Sequence, residues 1–204
     1  MLSTTYTYLA LGDSYTIGEG VPVAANFPYQ TVQLLRKDGH AFHAAEIIAK
    51  TGWTTDELQQ GIAGTQLQEQ YDIVSLLIGV NNQYRGRSPE EYAVQFEQLL
   101  QQVIRFAGNQ PDHVFVLSIP DWGATPFAEG RDRAQIAQEI DVFNTINHRI
   151  TEQYKAHHID ITPGTREAAH DESLLTTDQL HPSGKEYTRW AKQLAEAIVK
   201  FNKI

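Results

Sequence analysis

The chain has 204 residues and no cysteine, which excludes disulfides, thiolate metal sites and a cysteine nucleophile. Its hydrophobic fraction of 41% and charged fraction of 20% are those of an ordinary soluble globule that can bury a core of its own, so one domain over residues 1–204 is expected. A formal net charge of −9 argues against a general nucleic-acid or anionic-membrane surface.

No apolar stretch approaches bilayer-spanning length, so stable membrane insertion is not expected. Met1-Leu2-Ser3-Thr4 has neither a basic nor an apolar leader segment. A cytoplasmic location is therefore expected, although a trimmed signal would leave no trace in this sequence.

Five short apolar runs are predicted as strands: Tyr6–Leu11, Ala44–Ala49, Ile73–Ile78, Val114–Ile119 and His158–Ile161. The third and fourth are almost continuously apolar, as strands covered on both faces are. Helical signals alternate with them. Thr54-Thr55-Asp56-Glu57 reads as a capping box, and Ser88-Pro89-Glu90-Glu91 as a second with proline at the first helical position. Tyr92, Phe96, Leu99, Val103 and Phe106 then fall on one helical face. Ile136, Ile140, Phe143, Ile150 and Tyr154 mark another helix, starting near Arg131, and Tyr187, Trp190, Leu194, Ile198 and Phe201 mark the last. Strands alternating with helices predict an α/β fold, a three-layer α/β/α sandwich around a parallel sheet. Its site lies outside the carboxyl ends of the strands.

Residues able to do chemistry stand at those ends. Gly12-Asp13-Ser14 follows the first run, and a serine nucleophile needs a base, usually a histidine oriented by a carboxylate. Of the eight histidines, His40, His43, His113, His157 and His158 flank or enter strands, where packing or surface roles suffice. His148 sits inside a helix and His170 lacks a matching acid. His181, in Asp178-Gln179-Leu180-His181-Pro182, has an acid three residues before it and a proline stiffening the loop after it. Donors for a developing oxyanion are offered by Gly52 in Thr51-Gly52-Trp53 and by Asn81 in Gly79-Val80-Asn81-Asn82. Taken alone, each of these pieces is also what a polar turn looks like.

In combination and in this order, Gly12-Asp13-Ser14, Gly52, Gly79-x-Asn81 and Asp178-x-x-His181 resemble the SGNH hydrolases, also called the GDSL esterase/lipase family. The resemblance implies a five-stranded parallel, flavodoxin-like sheet and hydrolysis of carboxylic esters or thioesters without metal or organic cofactor. It implies Ser14 as nucleophile, His181 as base and Asp178 as its orienting acid. The oxyanion hole it implies is built from the Ser14 and Gly52 N–H groups and the Asn81 amide. Tyr15 stands where the family has leucine, which bears on the pocket. Asn82 stands where many members have aspartate, outside the residues implied to be catalytic. Asp13 reads as a turn or loop-anchoring acid with no step in the chemistry.

Tyr15, Trp53, Tyr84 and Trp122 are candidates for the substrate pocket. Arg85 and Arg87 would lie near its mouth, facing a carbohydrate, a phosphate head group or solvent. Short loops show no lid, so small acyl esters are expected over long-chain triglycerides, with acetylated carbohydrate and lysophospholipid-like substrates both open. An acyltransferase using the same residues is an alternative. A flavodoxin-like phosphate- or nucleotide-binding domain is another, but it lacks a glycine-rich phosphate fingerprint and leaves Asp178 and His181 unexplained. A metal site from His157, His158 and Asp160 is disfavoured because adjacent strand residues point to opposite faces. The sequence leaves the oligomeric state open.

Overall fold

A computed structural model describes residues 5–202. Five strands, β1 (Tyr8–Gly12), β2 (Glu46–Ala49), β3 (Ile73–Leu77), β4 (Val114–Leu117) and β5 (His157–Ile159), form one parallel sheet in the order β2-β1-β3-β4-β5. The chain steps outward from β1 to β2, then crosses back to place β3 on the other side of β1. That reversal opens a crevice beyond the strand ends, where α/β folds bind ligands. Gly12 pairs with Ala49 on one side and Leu77 on the other, so the first three strands end level.

The eight helices among the described residues are α1 (Ser14–Ile17), α2 (Phe27–Lys37), α3 (Thr55–Ala63), α4 (Val80–Tyr84), α5 (Pro89–Phe106), α6 (Arg133–Gln153), α7 (Thr162–Arg166) and α8 (Gly184–Asn202). Helices α2 and α8 pack on each other, and α5 packs on both α3 and α6, which gives the three layers expected. No helix among the described residues is long and apolar enough to cross a membrane.

Both N-terminal signals cap their helices, although the Glu91 carboxylate turns to Arg87 and Gln95 and does not complete the second box. Glu57 Oε2 accepts from the Thr54 N–H at 2.9 Å and Ser88 Oγ from the Glu91 N–H at 3.1 Å. The Thr54 hydroxyl, however, donates to Asp56 Oδ1 at 2.6 Å.

Strand ends depart from the apolar runs because hydrogen bonding decides them. Tyr6 makes only an isolated bridge to Phe42. Ile119 is apolar, yet its N–H leaves the ladder for Asn144 Oδ1 at 2.7 Å. The fifth strand begins one residue early and ends at Ile159. Helix α2 is not among the predicted helices. Asn26 caps it by accepting from Tyr29 N–H at 2.9 Å, and its Phe27 packs among Tyr187 and Trp190 of α8.

Gly12 carries the tightest constraint at the strand ends. A β-carbon there would lie 2.4 Å from the Leu77 carbonyl oxygen and 2.1 Å from Thr16 Oγ1. The carbonyl belongs to the neighbouring strand and cannot swing aside. Gly12→Ala is therefore expected to destabilise by roughly 1–3 kcal/mol or more, as overpacking does, read as a lower urea midpoint at unchanged m-value.

Candidate active site

Ser14 is the first residue of α1, turned out of β1 by Asp13, whose Oδ1 accepts from the Tyr15 N–H at 3.0 Å. Its hydroxyl meets a side chain 167 residues away: Ser14 Oγ lies 3.0 Å from His181 Nε2. His181 Nδ1 lies 2.6 Å from Asp178 Oδ2. The loop that brings them together is closed on itself. Thr176 N–H donates to His181 O at 2.8 Å, Leu175 and Pro182 form a bridge, and Gln179 turns through a left-handed φ of 59°.

Asp178 Oδ1 accepts from Thr176 Oγ1 at 2.6 Å and from the Leu180 and His181 N–H groups, each at 2.9 Å. Burial works against the charge, but these hydrogen bonds and the imidazole outweigh it and hold the carboxyl at about 2. A carboxylate facing Nδ1 keeps the proton on that nitrogen, which leaves the Nε2 lone pair for the serine hydroxyl. A histidine so held can take the hydroxyl proton as the oxygen attacks.

Asn81, in α4 just beyond β3, donates its amide to the Trp53 carbonyl at 3.0 Å and reaches Asp13 Oδ2 at 3.4 Å. It lines the same cleft as Ser14. Its neighbour Asn82 turns inward and bonds Thr55 at the start of α3 through both amide atoms, at 3.1 and 2.8 Å. The two asparagines thus divide their work between cleft and scaffold. Gly52 adopts a φ of 84°, and Arg85 Nη2 donates to its carbonyl at 2.6 Å. Among the described residues the Ser14 and Gly52 N–H groups have no protein acceptor.

The cleft occupies about 460 Å³. Its floor is Tyr15, Val80 and Trp122, all buried, and its mouth carries Tyr84 and Phe127, which are 46% and 44% exposed. Tyr15, Tyr84 and Trp122 stand where the sequence puts them. Trp53 does not: its indole lies over Gly61 of α3, where a β-carbon would come within 2.1 Å of the ring, so only its carbonyl serves the site. Of the two arginines expected near the mouth, Arg85 reaches the Gly52 carbonyl, and both are paired with acids. Arg85 pairs with Glu57 at 3.1 Å, and Arg87 with Asp56 at 2.6 Å and Glu91 at 3.2 Å.

Phe127, Val80 and Leu180 line the cleft without having been expected there. Phe127 lies in an aperiodic loop with no sequence signal beyond its aromaticity. The two histidines of β5 do point to opposite faces. His157 stacks on Phe115 and Phe201, and His158 bonds Asn147 Oδ1 at 2.9 Å. Burial and the neighbouring His148 push the His158 imidazole down to about 4.

The sequence matches the GDSL-like lipase/acylhydrolase family over residues 10–197. The chain belongs to that family. It is accordingly a carboxylic ester hydrolase. No curated protein sequence matches it. Among solved structures this family member resembles TesA, with a TM-score of 0.74 at 16% identity over 96% of this chain and 99% of that one. It also resembles the psychrotrophic esterase EstA from Pseudoalteromonas sp., at 0.73 and 16% over 98% and 100%. The acetyl xylan esterase AlAXEase matches at 0.74 and 15%, over 94% and 99%. These likenesses show a shared fold.

Asp13 supplies a test of the site's electrostatics. It is fully buried, and that burial pushes its carboxyl up to about 7 despite the hydrogen bonds from Tyr15 and Asn81. Unfolded, the group titrates near 4. Between the two values the folded state binds the extra proton, so stability falls as pH rises from about 4 to about 7 and this contribution is level above. Asp13→Asn removes the titration, so across that window urea midpoints should fall less, or rise more, with pH in the variant than in the parent, the buried His158 contributing the same opposing slope to both.

Proposed function

We propose that this enzyme hydrolyses short-acyl carboxylic esters through an acyl-enzyme on Ser14. The observation that carries the reading is the unbroken chain from Ser14 Oγ to His181 to Asp178, at 3.0 and 2.6 Å, on the floor of an apolar cleft. In the first step Ser14 Oγ bonds to the ester carbon while its proton passes to His181 Nε2. The oxyanion is held by the Ser14 and Gly52 N–H groups and by the Asn81 amide hydrogen that faces Asp13 Oδ2, a long 3.4 Å bond it gives up to the oxyanion. The intermediate then expels the alcohol, which takes the proton from Nε2. Water next gives a proton to Nε2 and attacks the acyl-serine, and collapse returns the acid and the serine hydroxyl. Asp178 stays ionised throughout, orienting the ring and stabilising its charged form.

Two features support acetylated carbohydrate over a lysophospholipid-like substrate. Tyr84 and Phe127 present exposed ring faces at the mouth, on which a sugar leaving group can stack. Arg85 and Arg87, the two cations that follow Asn81, are both engaged by acids. Two structural neighbours, AlAXEase and Axe2 from Geobacillus stearothermophilus, are acetyl xylan esterases.

A p-nitrophenyl ester panel from acetyl to dodecanoyl should show kcat/KM highest for the shortest chains. Acetate release from acetylated xylo-oligosaccharides should exceed fatty-acid release from lysophosphatidylcholine. Ser14→Ala should lower kcat by roughly a thousandfold or more with folding retained. Turnover like the parent's in that variant would sink the assignment. Asn81→Ala should cost on the order of a hundredfold in kcat. Asn82→Ala should spare kcat but lower the melting temperature, because it removes a buried bond to the start of α3.

A further inference from the structure

A second, smaller void lies beside the cleft, and the two share Tyr15, Trp122 and Leu180 as walls. Its other walls include Ala168, Leu174 and Pro182, all buried, so it is a largely apolar recess. Two carboxylates also border it, but neither offers a free charge. Asp121 Oδ2 is bonded by Arg166 Nε at 2.8 Å, and Glu186 by Trp190 Nε1 at 2.8 Å and Arg189 Nη1 at 3.0 Å.

Which part of an ester would press on this partition follows from the reading above. The alcohol must leave, and it collects its proton from His181, so it belongs at the open mouth by Tyr84 and Phe127. The acyl group stays on Ser14 and takes the buried floor, where Tyr15 and Trp122 stand in its path. We propose that Tyr15, Trp122 and Leu180 form a partition that limits acyl length, and that the void behind it is an unused extension of the acyl site. This rests on the Ser14 acyl-enzyme.

The three walls are not held alike. Trp122 Nε1 donates to Gln83 Oε1 at 2.7 Å, and Gln83 in turn donates to Glu139 at 2.7 Å, so the indole is fixed. Tyr15 has its ring between His181 and Trp190, at centroid distances of 5.1 and 6.4 Å, and its hydroxyl makes no hydrogen bond among the described residues. It is held by packing alone. That makes it the wall a smaller side chain opens with least disturbance to the hydrogen-bonded frame.

The test compares kcat/KM for p-nitrophenyl octanoate and acetate in the parent, Tyr15→Leu and Leu180→Ala, each with and without Ala168→Leu to fill the void. Each newly buried methylene is worth roughly fourfold. The octanoate-to-acetate ratio should therefore rise about tenfold or more in both opened variants. Ala168→Leu should return it to the parent value in each, and alone should leave the parent ratio within about twofold. A merely structural role for Tyr15 would lower both esters together and leave the ratio unmoved. Circular dichroism melting identifies folded variants, and Leu180→Ala carries the test if Tyr15→Leu does not fold. Folded, active variants with an unchanged ratio would overturn the partition, as would a raised ratio that survives filling of the void. So would a change confined to a series of alkyl acetates, where only the alcohol grows. An inactive parent would overturn the esterase reading and the partition together, whereas an active parent with insensitive ratios overturns the partition alone.

Discussion

Between the end of β1 and the end of β3 there is no room for a side chain at residue 12. The Leu77 carbonyl and the Thr16 hydroxyl occupy the space where a β-carbon would go. Only with that gap closed do the two strands finish level, and only then does α1 fold back across the sheet edge with Ser14 as its first residue. The next two strand ends inherit the alignment. Trp53 offers its carbonyl beyond β2, Asn81 reaches it from beyond β3, and Asp13 accepts from the same amide. The sheet supplies the convergence, and the hydrogen bonds between its loops lock it.

Two aspartates near one serine show how location sets charge. Asp13 is sealed beneath α1 with few donors, and burial pushes its carboxyl up to about 7. Asp178 is partly open and surrounded by hydroxyl, imidazole and backbone donors, which hold it at about 2. The second is thus a permanent anion, suited to face an imidazole that becomes a cation in the proposed mechanism. The first changes charge near neutrality and is better placed to anchor loops than to carry protons. Burial first and donor count second, not distance from the serine, separate the two.

The fold was legible because its signals are local. Continuous apolar runs mark β3 and β4, and the glutamates at positions 57 and 91 sit where helix starts need them. The polar blocks at Ser14, Asn81 and His181 were legible together for another reason: a parallel sheet puts successive strand ends on one side, so residues far apart in sequence fall into a common row. What escaped depends on partners the local sequence does not name. Ile119 leaves its strand for an asparagine on α6, and Asn26 starts α2, whose Phe27 finds its partners in Tyr187 and Trp190 of α8. Trp53 looked like a pocket aromatic, but Gly61, one turn and a half along α3, gives it somewhere to lie. The arginines after Asn81 looked free only because Asp56 and Glu57 are thirty residues earlier in the chain.

One small contact ties the mouth of the cleft to its chemistry. The Phe127 N–H donates to the Gln179 carbonyl at 3.2 Å, joining the rim loop to the loop that carries Asp178 and His181. The two loops therefore do not vary as independent parts. A rim grafted from a relative, to admit a different alcohol, would arrive without its matching carbonyl and would pull on the backbone between the acid and the imidazole. If the proposed mechanism holds, specificity and proton transfer form a single module here, and loop exchange must carry residues of both segments to transplant either.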